Sequence, residues 1–164
     1  MNTADKLQQT TLATPLGKLT VVASPRGVQA VLWPGEASAF PIRSEGHAAA
    51  ILRAAADQLG EYFSGQRTAF DLPLDLLGTP FQIAVWEVLR GIPFGATISY
   101  GEQARRLGDS RKARAVGSAN GRNPIPIIVP CHRVIGSDGS LTGFAAGMET
   151  KAWLLRHEQP DAKG

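Results

Sequence analysis

The sequence contains one cysteine, Cys131, and only three histidines in 164 residues. A single cysteine excludes an intramolecular disulfide and a cysteine-rich zinc site, and a free thiol suits a reducing compartment. Among the histidines only His132 has another candidate ligand beside it, so we predict no metal site. No apolar run is long enough to cross a membrane, and residues 1–10 lack the apolar core of a signal peptide. We therefore expect a cytoplasmic protein.

The composition is that of a folded protein, with 43% hydrophobic and 19% charged residues. Its charge is uneven. Residues 1–75 contain six Lys or Arg against seven Asp or Glu, whereas residues 76–164 contain eleven against seven. Between Arg105 and Arg133 there are seven basic residues and one acid, Asp109. Such a cluster favours a phosphate-binding face, although a merely solvated basic surface is the alternative.

The first half of the chain reads as a small sheet with one long helix, residues 1–75, in which we identify no chemistry. Alternating apolar residues and turn residues predict three strands, and apolar residues at helical spacing predict one helix. A fourth strand is expected at Phe70–Leu74, before a linker at 72–78. The predicted elements are strands Thr10–Ala13, Lys18–Ser24 and Gly27–Trp33, and helix Ser44–Ser64.

The second half, residues 79–160, predicts a winged helix-turn-helix. Thr79-Pro80-Phe81-Gln82 and Ser99-Tyr100-Gly101-Glu102 both have the pattern of a capping box that begins a helix. An Asp-Gly turn within Ile135–Leu141 predicts a hairpin, the wing. The predicted helices are 79–90, 99–108, 111–120 and 150–158. Together the two halves predict an α+β fold whose C-terminal domain carries the cysteine.

The apolar segment before Cys131, Pro126–Pro130, reads as an interior strand that stops at Pro130. A lone cysteine is usually a small buried apolar residue. Here the adjacent His132 and Arg133 favour a reactive thiolate. Consecutive residues of a strand point to opposite faces, so His132 assists Cys131 only if the chain turns there, or through a bridging water. Asn123 and the His157-Glu158 pair are candidates to orient the base.

Three short motifs in the second half of the chain resemble those of a known protein family. Asn123-Pro124, then Pro-Cys-His-Arg-Val at 130–134, then Leu-Leu-Arg-His-Glu at 154–158 resemble the O6-alkylguanine-DNA alkyltransferase family, over about Thr79–Glu158. The resemblance implies a single, irreversible transfer of the alkyl group of O6-alkylguanine in duplex DNA to Cys131, after the nucleotide is flipped. It names O4-alkylthymine as a further candidate substrate. It also implies a monomer that needs no small-molecule cofactor and is nucleoid-associated when on DNA.

The resemblance also assigns roles to residues of this sequence. Cys131 is the nucleophile, His132 accepts its proton, Glu158 orients His132 and Asn123 holds the turn below the active segment. Tyr100 lies at the base pocket, and Arg114 fills the gap left by the flipped nucleotide. The remaining pocket residues are Val134, Phe144 and Ala145. Because the family commonly has Tyr where Phe144 stands and Gly where Ala146 stands, we expect a tight pocket that favours small alkyl groups.

The third predicted helix has mostly small side chains, which would allow a close approach to the minor groove of DNA. Packing against another helix would select the same residues, and the sequence does not decide between these two explanations. Two arginines, Arg122 and Arg133, are added as candidate phosphate contacts. The small candidate DNA-binding residues are Ala113, Ala115, Gly117 and Ser118.

Three other functions remain open from the sequence. A non-catalytic protein that binds alkylated DNA would share the fold, but such relatives lack the cysteine. A winged-helix DNA-binding regulator would have an inert Cys131 and sequence-specific binding. A cysteine hydrolase would use the Cys-His pair but would not explain the basic helix.

Overall fold

The computed structural model describes residues 7–36, 48–141, 144 and 146–159. The chain divides into two compact units, residues 1–77 and 78–164. A three-stranded sheet and one helix form the first unit, and the second is mainly helical, so the fold is α+β as predicted. None of the helices in these described ranges is long and apolar enough to span a membrane.

The first unit is an antiparallel sheet in the order β1-β2-β3, with helix α1 packed against it. Tight turns at 15–16 and 25–26 connect the strands, and the central strand is the most buried, with every residue from Val21 to Ser24 buried. The bounds are β1 Gln8–Thr14, β2 Gly17–Ser24, β3 Gly27–Leu32 and α1 Ala49–Phe63. The three predicted strands are confirmed. The predicted start of the helix at 44–47 lies outside the described residues.

The fourth strand predicted at Phe70–Leu74 is wrong. Only Leu74 forms a bridge, parallel to Val28, while Pro73 O accepts from Val28 N at 2.9 Å. Gly27 explains how this segment comes so near to β3, because a Cβ on Gly27 would lie 2.5 Å from the Pro73 oxygen. Pro73 has no N–H to donate to a ladder, so the segment docks on the strand without extending the sheet.

The second unit begins with helix α2, Pro80–Arg90. The predicted capping box is confirmed: Thr79 Oγ1 accepts from Gln82 N at 3.1 Å, and Gln82 Oε1 accepts from Thr79 N at 3.0 Å. Its buried residues are Val85, Trp86 and Leu89. Phe81 and Val88 are only half-buried, although the helical spacing of the apolar residues predicts them on the inner face with Val85 and Leu89.

The helix-turn-helix consists of α3, Tyr100–Arg106, a 3₁₀ turn at Ser110–Lys112, and α4, Ala113–Gly121. The predicted third helix therefore starts later than Arg111, because Asp109 caps the 3₁₀ turn by accepting from Arg111 N at 3.0 Å. Only half of the second predicted capping box forms. Ser99 Oγ accepts from Glu102 N at 3.0 Å, but the Glu102 carboxylate binds arginines.

The predicted wing is reduced to a turn. Gly136 N donates to Ser140 O at 2.9 Å, and Gly139 N donates to Gly136 O at 2.8 Å. Within the described residues no returning strand follows this turn. Strand β5, Val134–Ile135, instead pairs in parallel with β4, Ile98–Ser99. Helix α5, Met148–Glu158, then packs against the 3₁₀ turn at Cys131–Arg133.

Candidate active site

The apolar segment before Cys131 is a series of tight turns, so the predicted interior strand is wrong. Ile127 has a φ of 74°, which is rare for a β-branched residue, and Ile128 N donates to Pro126 O across it at 2.9 Å. A second three-residue turn joins Cys131 N to Val129 O at 2.8 Å. All residues from Ile125 to Val134 are buried. A strained conformation of this kind persists only where the surrounding packing fixes it.

Asn123 ties this loop together, as the resemblance implied. Its side-chain amide donates to Val129 O at 2.8 Å, and its Oδ1 accepts from Ile125 N at 2.9 Å. Both bonds use polar groups that the turns leave unpaired, which is the usual reason for an Asn in such a loop. The same side chain also hydrogen bonds Cys131. Asn123 therefore fixes the chain at Val129, two residues before Cys131, and at Cys131 itself.

The chain turns at the cysteine, so Cys131 and His132 are not on opposite faces of a strand. Residues Cys131–Arg133 form one 3₁₀ turn. His132 is fully buried, and its Nε2 lies 2.8 Å from Oε2 of Glu158 on the last turn of α5. Its Nδ1 is buried with no hydrogen-bond partner among the described residues. With Nε2–H donating to the carboxylate, Nδ1 is the basic atom of the ring.

Arg133 is not a surface residue, which contradicts its predicted contact with phosphate. Its guanidinium donates to both oxygens of Glu158, at 2.8 and 2.9 Å, and to Ile92 O at 2.6 Å. The side chain is also stacked near the Phe94 ring, 5.8 Å from its centroid. A buried guanidinium must be paired in this way, so Arg133 serves to hold Glu158 and not to bind DNA.

The electrostatics of the site favour a neutral cysteine and histidine at rest. Burial raises the pKa of the Cys131 thiol, while Asn123 and the positive charge of Lys151 oppose the rise. Burial lowers the pKa of His132, against the opposing effect of Glu158. Burial also acts to raise the pKa of Glu158, but hydrogen bonds from His132 and Arg133 outweigh it and lower that pKa to about 2. Burial therefore opposes the charged forms of both Cys131 and His132, whereas the carboxylate of Glu158 stays ionised.

Lys151 is a further residue of this site, and the sequence analysis missed it. It is 1% exposed, and its Nζ donates to the carbonyl oxygen of Val134 at 2.6 Å. Its ammonium also lies 5.8 Å from the centroid of the Tyr100 ring. Burial lowers the pKa of Lys151 and the charge of Cys131 opposes this, so the two groups interact electrostatically. The sequence contains one indication that Lys151 is buried, because its spacing from Leu154 and Glu158 puts all three residues on one face of α5.

Tyr100 is half-buried at the start of α3. Burial raises the pKa of its hydroxyl, and the charge of Cys131 adds to the rise. The phenol therefore stays protonated and remains a hydrogen-bond donor. Gly117 faces its ring, and a Cβ there would lie 3.6 Å from two ring carbons, an ordinary van der Waals contact.

The residues of α4 divide into an outer and an inner set. Arg114, Ala115 and Ser118 are exposed, while Val116 and Asn120 are buried against the other helices. Ala113 and Gly117 are half-buried between these faces, and Arg122 is exposed just after the helix. Small residues thus occur both at the surface and against Tyr100, so some of them contribute to packing within the protein and others are exposed.

Much of the predicted basic surface is neutralised within the protein. Glu102 binds Arg105 and Arg106, with N–O distances of 2.6 and 2.9 Å, and Asp109 binds Arg111 at 3.0 Å. Two carboxylates thus face three exposed arginines, and Arg133 is buried against Glu158, so four of the seven basic residues are paired within the protein. The remaining three are Lys112, Arg114 and Arg122.

The pocket loop is described in part. Phe144 and Ala146 are half-buried, and Ala145 lies outside the described residues. Val134 is buried, and its carbonyl oxygen keeps a second lone pair beside the bond from Lys151. No group of three or more His, Cys, Asp or Glu residues suited to a metal occurs in the described ranges.

Both halves of the chain match models of known protein domains. Residues 80–160 match the model of the 6-O-methylguanine DNA methyltransferase DNA binding domain, and residues 7–76 match that of the ribonuclease-like domain of the same proteins. A methylated-DNA–protein-cysteine methyltransferase of Shigella flexneri is 44% identical, over 93% of this chain and 96% of its own. The chain belongs to the 6-O-methylguanine DNA methyltransferase family.

Solved structures of this family have the same fold. A Mycobacterium tuberculosis O6-methylguanine methyltransferase is 41% identical with a TM-score of 0.84, covering 94% of this chain and 93% of its own. An M. tuberculosis OGT solved in complex with DNA is 43% identical with a TM-score of 0.83, over 94% and 92%. The matched DNA binding domain of the family contains Cys131, Glu158 and α4 of this chain.

Proposed function

We propose that the protein repairs O6-alkylguanine in duplex DNA by transferring the alkyl group to Cys131, once per molecule. Its membership of the methyltransferase family supports this reaction. The observation that carries the assignment to Cys131 is its neighbour His132, paired with Glu158 at 2.8 Å and with Nδ1 unpartnered in the described residues. This is a nucleophile, a base and a group that orients the base.

The first step moves a proton from the thiol. The Cys131 thiol gives its proton to Nδ1 of His132, directly or through water, and the imidazolium formed is stabilised by the ionised Glu158. Arg133 keeps that carboxylate in position, while Lys151 and Asn123 stabilise the negative sulfur. Burial disfavours every charge in this set, and the fixed groups oppose that effect, Asn123 and Lys151 at the sulfur and Glu158 at the imidazole.

The second step transfers the alkyl group. The thiolate of Cys131 attacks the alkyl carbon in line with the bond to O6, a carbon–sulfur bond forms, and the carbon–oxygen bond breaks. The guanine leaves with the bonding electrons and takes up one proton, the one lost from the thiol. Tyr100, whose hydroxyl stays protonated, donates a hydrogen bond to the leaving base. The pocket is completed by Val134, Phe144 and Ala145.

The base reaches the cysteine by flipping from the duplex. We assign the exposed face of α4 to the minor groove, with Ala115 and Ser118 close to the backbone and Arg114 inserted in the stack. Arg122 contacts phosphate. Residues 79–160 carry all groups of the reaction, residues 1–75 carry none that we identify, and the protein acts as a monomer.

The product limits the protein to one reaction. A thioether at Cys131 is stable, and the sequence has no second cysteine to accept the group. We therefore expect one alkyl group per protein molecule, with no regeneration.

Intact-mass spectrometry after incubation with an O6-methylguanine duplex tests the assignment. The protein should gain one methyl group, located on Cys131 by peptide mapping, and Cys131→Ser should bind the duplex without gaining mass. A non-catalytic DNA-binding protein or a regulator would show binding without methylation of the wild type. A cysteine hydrolase would form an acyl adduct with an activated ester and none with the duplex.

A further inference from the structure

Two buried side-chain amides join the helices of the helix-turn-helix. Gln103 of α3 is fully buried and Asn120 of α4 is 4% exposed. Nε2 of Gln103 donates to Oδ1 of Asn120 at 3.0 Å, and Nδ2 of Asn120 donates back to Oε1 of Gln103 at 2.8 Å. Neither residue has a part in the reaction described above.

The pair also reaches the supporting helix. Nε2 of Gln103 donates a second bond, to Val85 O of α2 at 3.3 Å, and Trp86 Nε1 donates to Ala119 O of α4 at 2.9 Å. Three helices therefore meet at directional hydrogen bonds inside an otherwise apolar core. A buried amide is costly unless its partners are satisfied, so each bond depends on the others being in register.

Directional bonds restrict geometry more than apolar contacts do. Apolar side chains tolerate a shift of one helix along another, whereas a reciprocal amide pair needs both distances and both angles to be kept. Asn120 lies on the inner face of α4, and Arg114 and Ser118 lie on the outer face. A rotation or shift of α4 at Asn120 would therefore change how the outer residues meet a partner.

We propose that Gln103 and Asn120 are positioning residues that fix the orientation of α4 for DNA, and so act on transfer from duplex but not on the chemistry of Cys131. This inference rests on the proposed function. Besides contributing to stability, the Gln103–Asn120 pair would increase the rate of the step that requires duplex DNA.

The test compares two substrates in the double variant Gln103→Leu/Asn120→Leu, which removes both amides and leaves neither partner unsatisfied. Single-turnover methyl transfer to Cys131 is measured with an O6-methylguanine duplex and with free O6-methylguanine base. Duplex affinity is measured by anisotropy in the Cys131→Ser background. Gln58→Leu is the matched control, because Gln58 also makes two amide bonds, both to the backbone of Asp71, in the other unit.

The double variant should keep its rate with free base within about twofold, while its rate with duplex falls about tenfold and its duplex affinity weakens. The Gln58→Leu control should leave the transfer rate with free base, the transfer rate with duplex and the duplex affinity unchanged. Equal changes with the two substrates, or no change with either, would overturn the proposal.

A second set of variants tests the proposal even if the Gln103→Leu/Asn120→Leu protein does not fold. Gln103→Asn and Asn120→Gln should each slow duplex transfer, and their combination, which restores the total length of the pair, should recover it. Additive losses would overturn the proposal. Wild-type protein that fails to methylate Cys131 would contradict the proposed function instead, and duplex affinity would still test the role of the pair.

Discussion

The carboxylate of Glu158 lies 2.8 Å from Nε2 of His132, although 26 residues separate the two in the chain. The same carboxylate accepts two bonds from Arg133, the next residue after His132. One acid at the end of α5 thus anchors both residues that follow the nucleophile. The position of α5 therefore helps to determine the conformation of the chain at Cys131.

Replacing Glu158 with Gln should slow methyl transfer about 10- to 100-fold, because the imidazolium of His132 would lose its stabilising charge. It should also destabilise the fold by about 3 kcal/mol, because the buried Arg133 would lose its counter-charge. Single-turnover kinetics and chemical denaturation measure the two effects. Glu149→Gln is the control, since Glu149 is exposed on the first turn of the same helix. A Glu158→Gln rate equal to that of this control would remove Glu158 from the mechanism.

The stability of the protein should fall in acid. The folded pKa of Glu158 is about 2, below its usual 4.5, so the stabilisation is present above 4.5 and is lost as the pH falls toward 2. A shift of this size corresponds to at most about 3 kcal/mol. His132 acts in the same direction, because its folded pKa is lowered and acid favours the unfolded state below about pH 6.5. Urea midpoints across this range measure the loss, and Glu158→Gln should flatten the acid part. An identical profile in both proteins would contradict the assignment.

Arg114→Ala should weaken duplex binding and slow duplex transfer about tenfold, because a stacking and phosphate-neutralising group is removed from the outer face of α4. Its rate with free O6-methylguanine should be unchanged. Arg156→Ala provides the comparison, since Arg156 is equally charged and exposed but lies on α5. If the two variants bind duplex alike, α4 is not the DNA-binding helix.

Glu102→Gln should strengthen duplex binding at low salt by about threefold or more, and should steepen its salt dependence, because Arg105 and Arg106 would be released to phosphates. Titrations at several salt concentrations give both quantities. Glu87→Gln releases Arg90 from a similar exposed pair on α2 and should have little effect. An unchanged salt dependence in Glu102→Gln would show that these two arginines lie away from the DNA.

The strands of the first unit and the capping box at Thr79 could be predicted because each depends on local chemistry. Alternation and turn residues define β1 to β3, and the Thr79–Gln82 bonds span three residues. The tight turns before Cys131 could not be predicted in the same way. A run of buried apolar residues is compatible with a strand or with turns, and only the packing around Ile127 selects its positive φ.

The main residues of the site could be predicted from the sequence, but the burial of its basic side chains could not. The motif residues Cys131, His132, Glu158 and Asn123 are brought together by the fold. Arg133 and Lys151 were misjudged or missed because a basic residue in a sequence is normally at the surface. Their burial follows from acceptors far away in the chain, Glu158 and Val134, which no local pattern reveals.

A titration of methyl groups per protein molecule tests whether Cys131 accepts one alkyl group and no more. The protein is incubated with increasing excess of duplex bearing a labelled O6-methyl group, and label on protein and repaired guanine are both counted. The account predicts a plateau at one methyl per molecule, all of it on Cys131, with an equal amount of repaired guanine. Repair that continues beyond one guanine per molecule, or label that appears elsewhere than on Cys131, would contradict it.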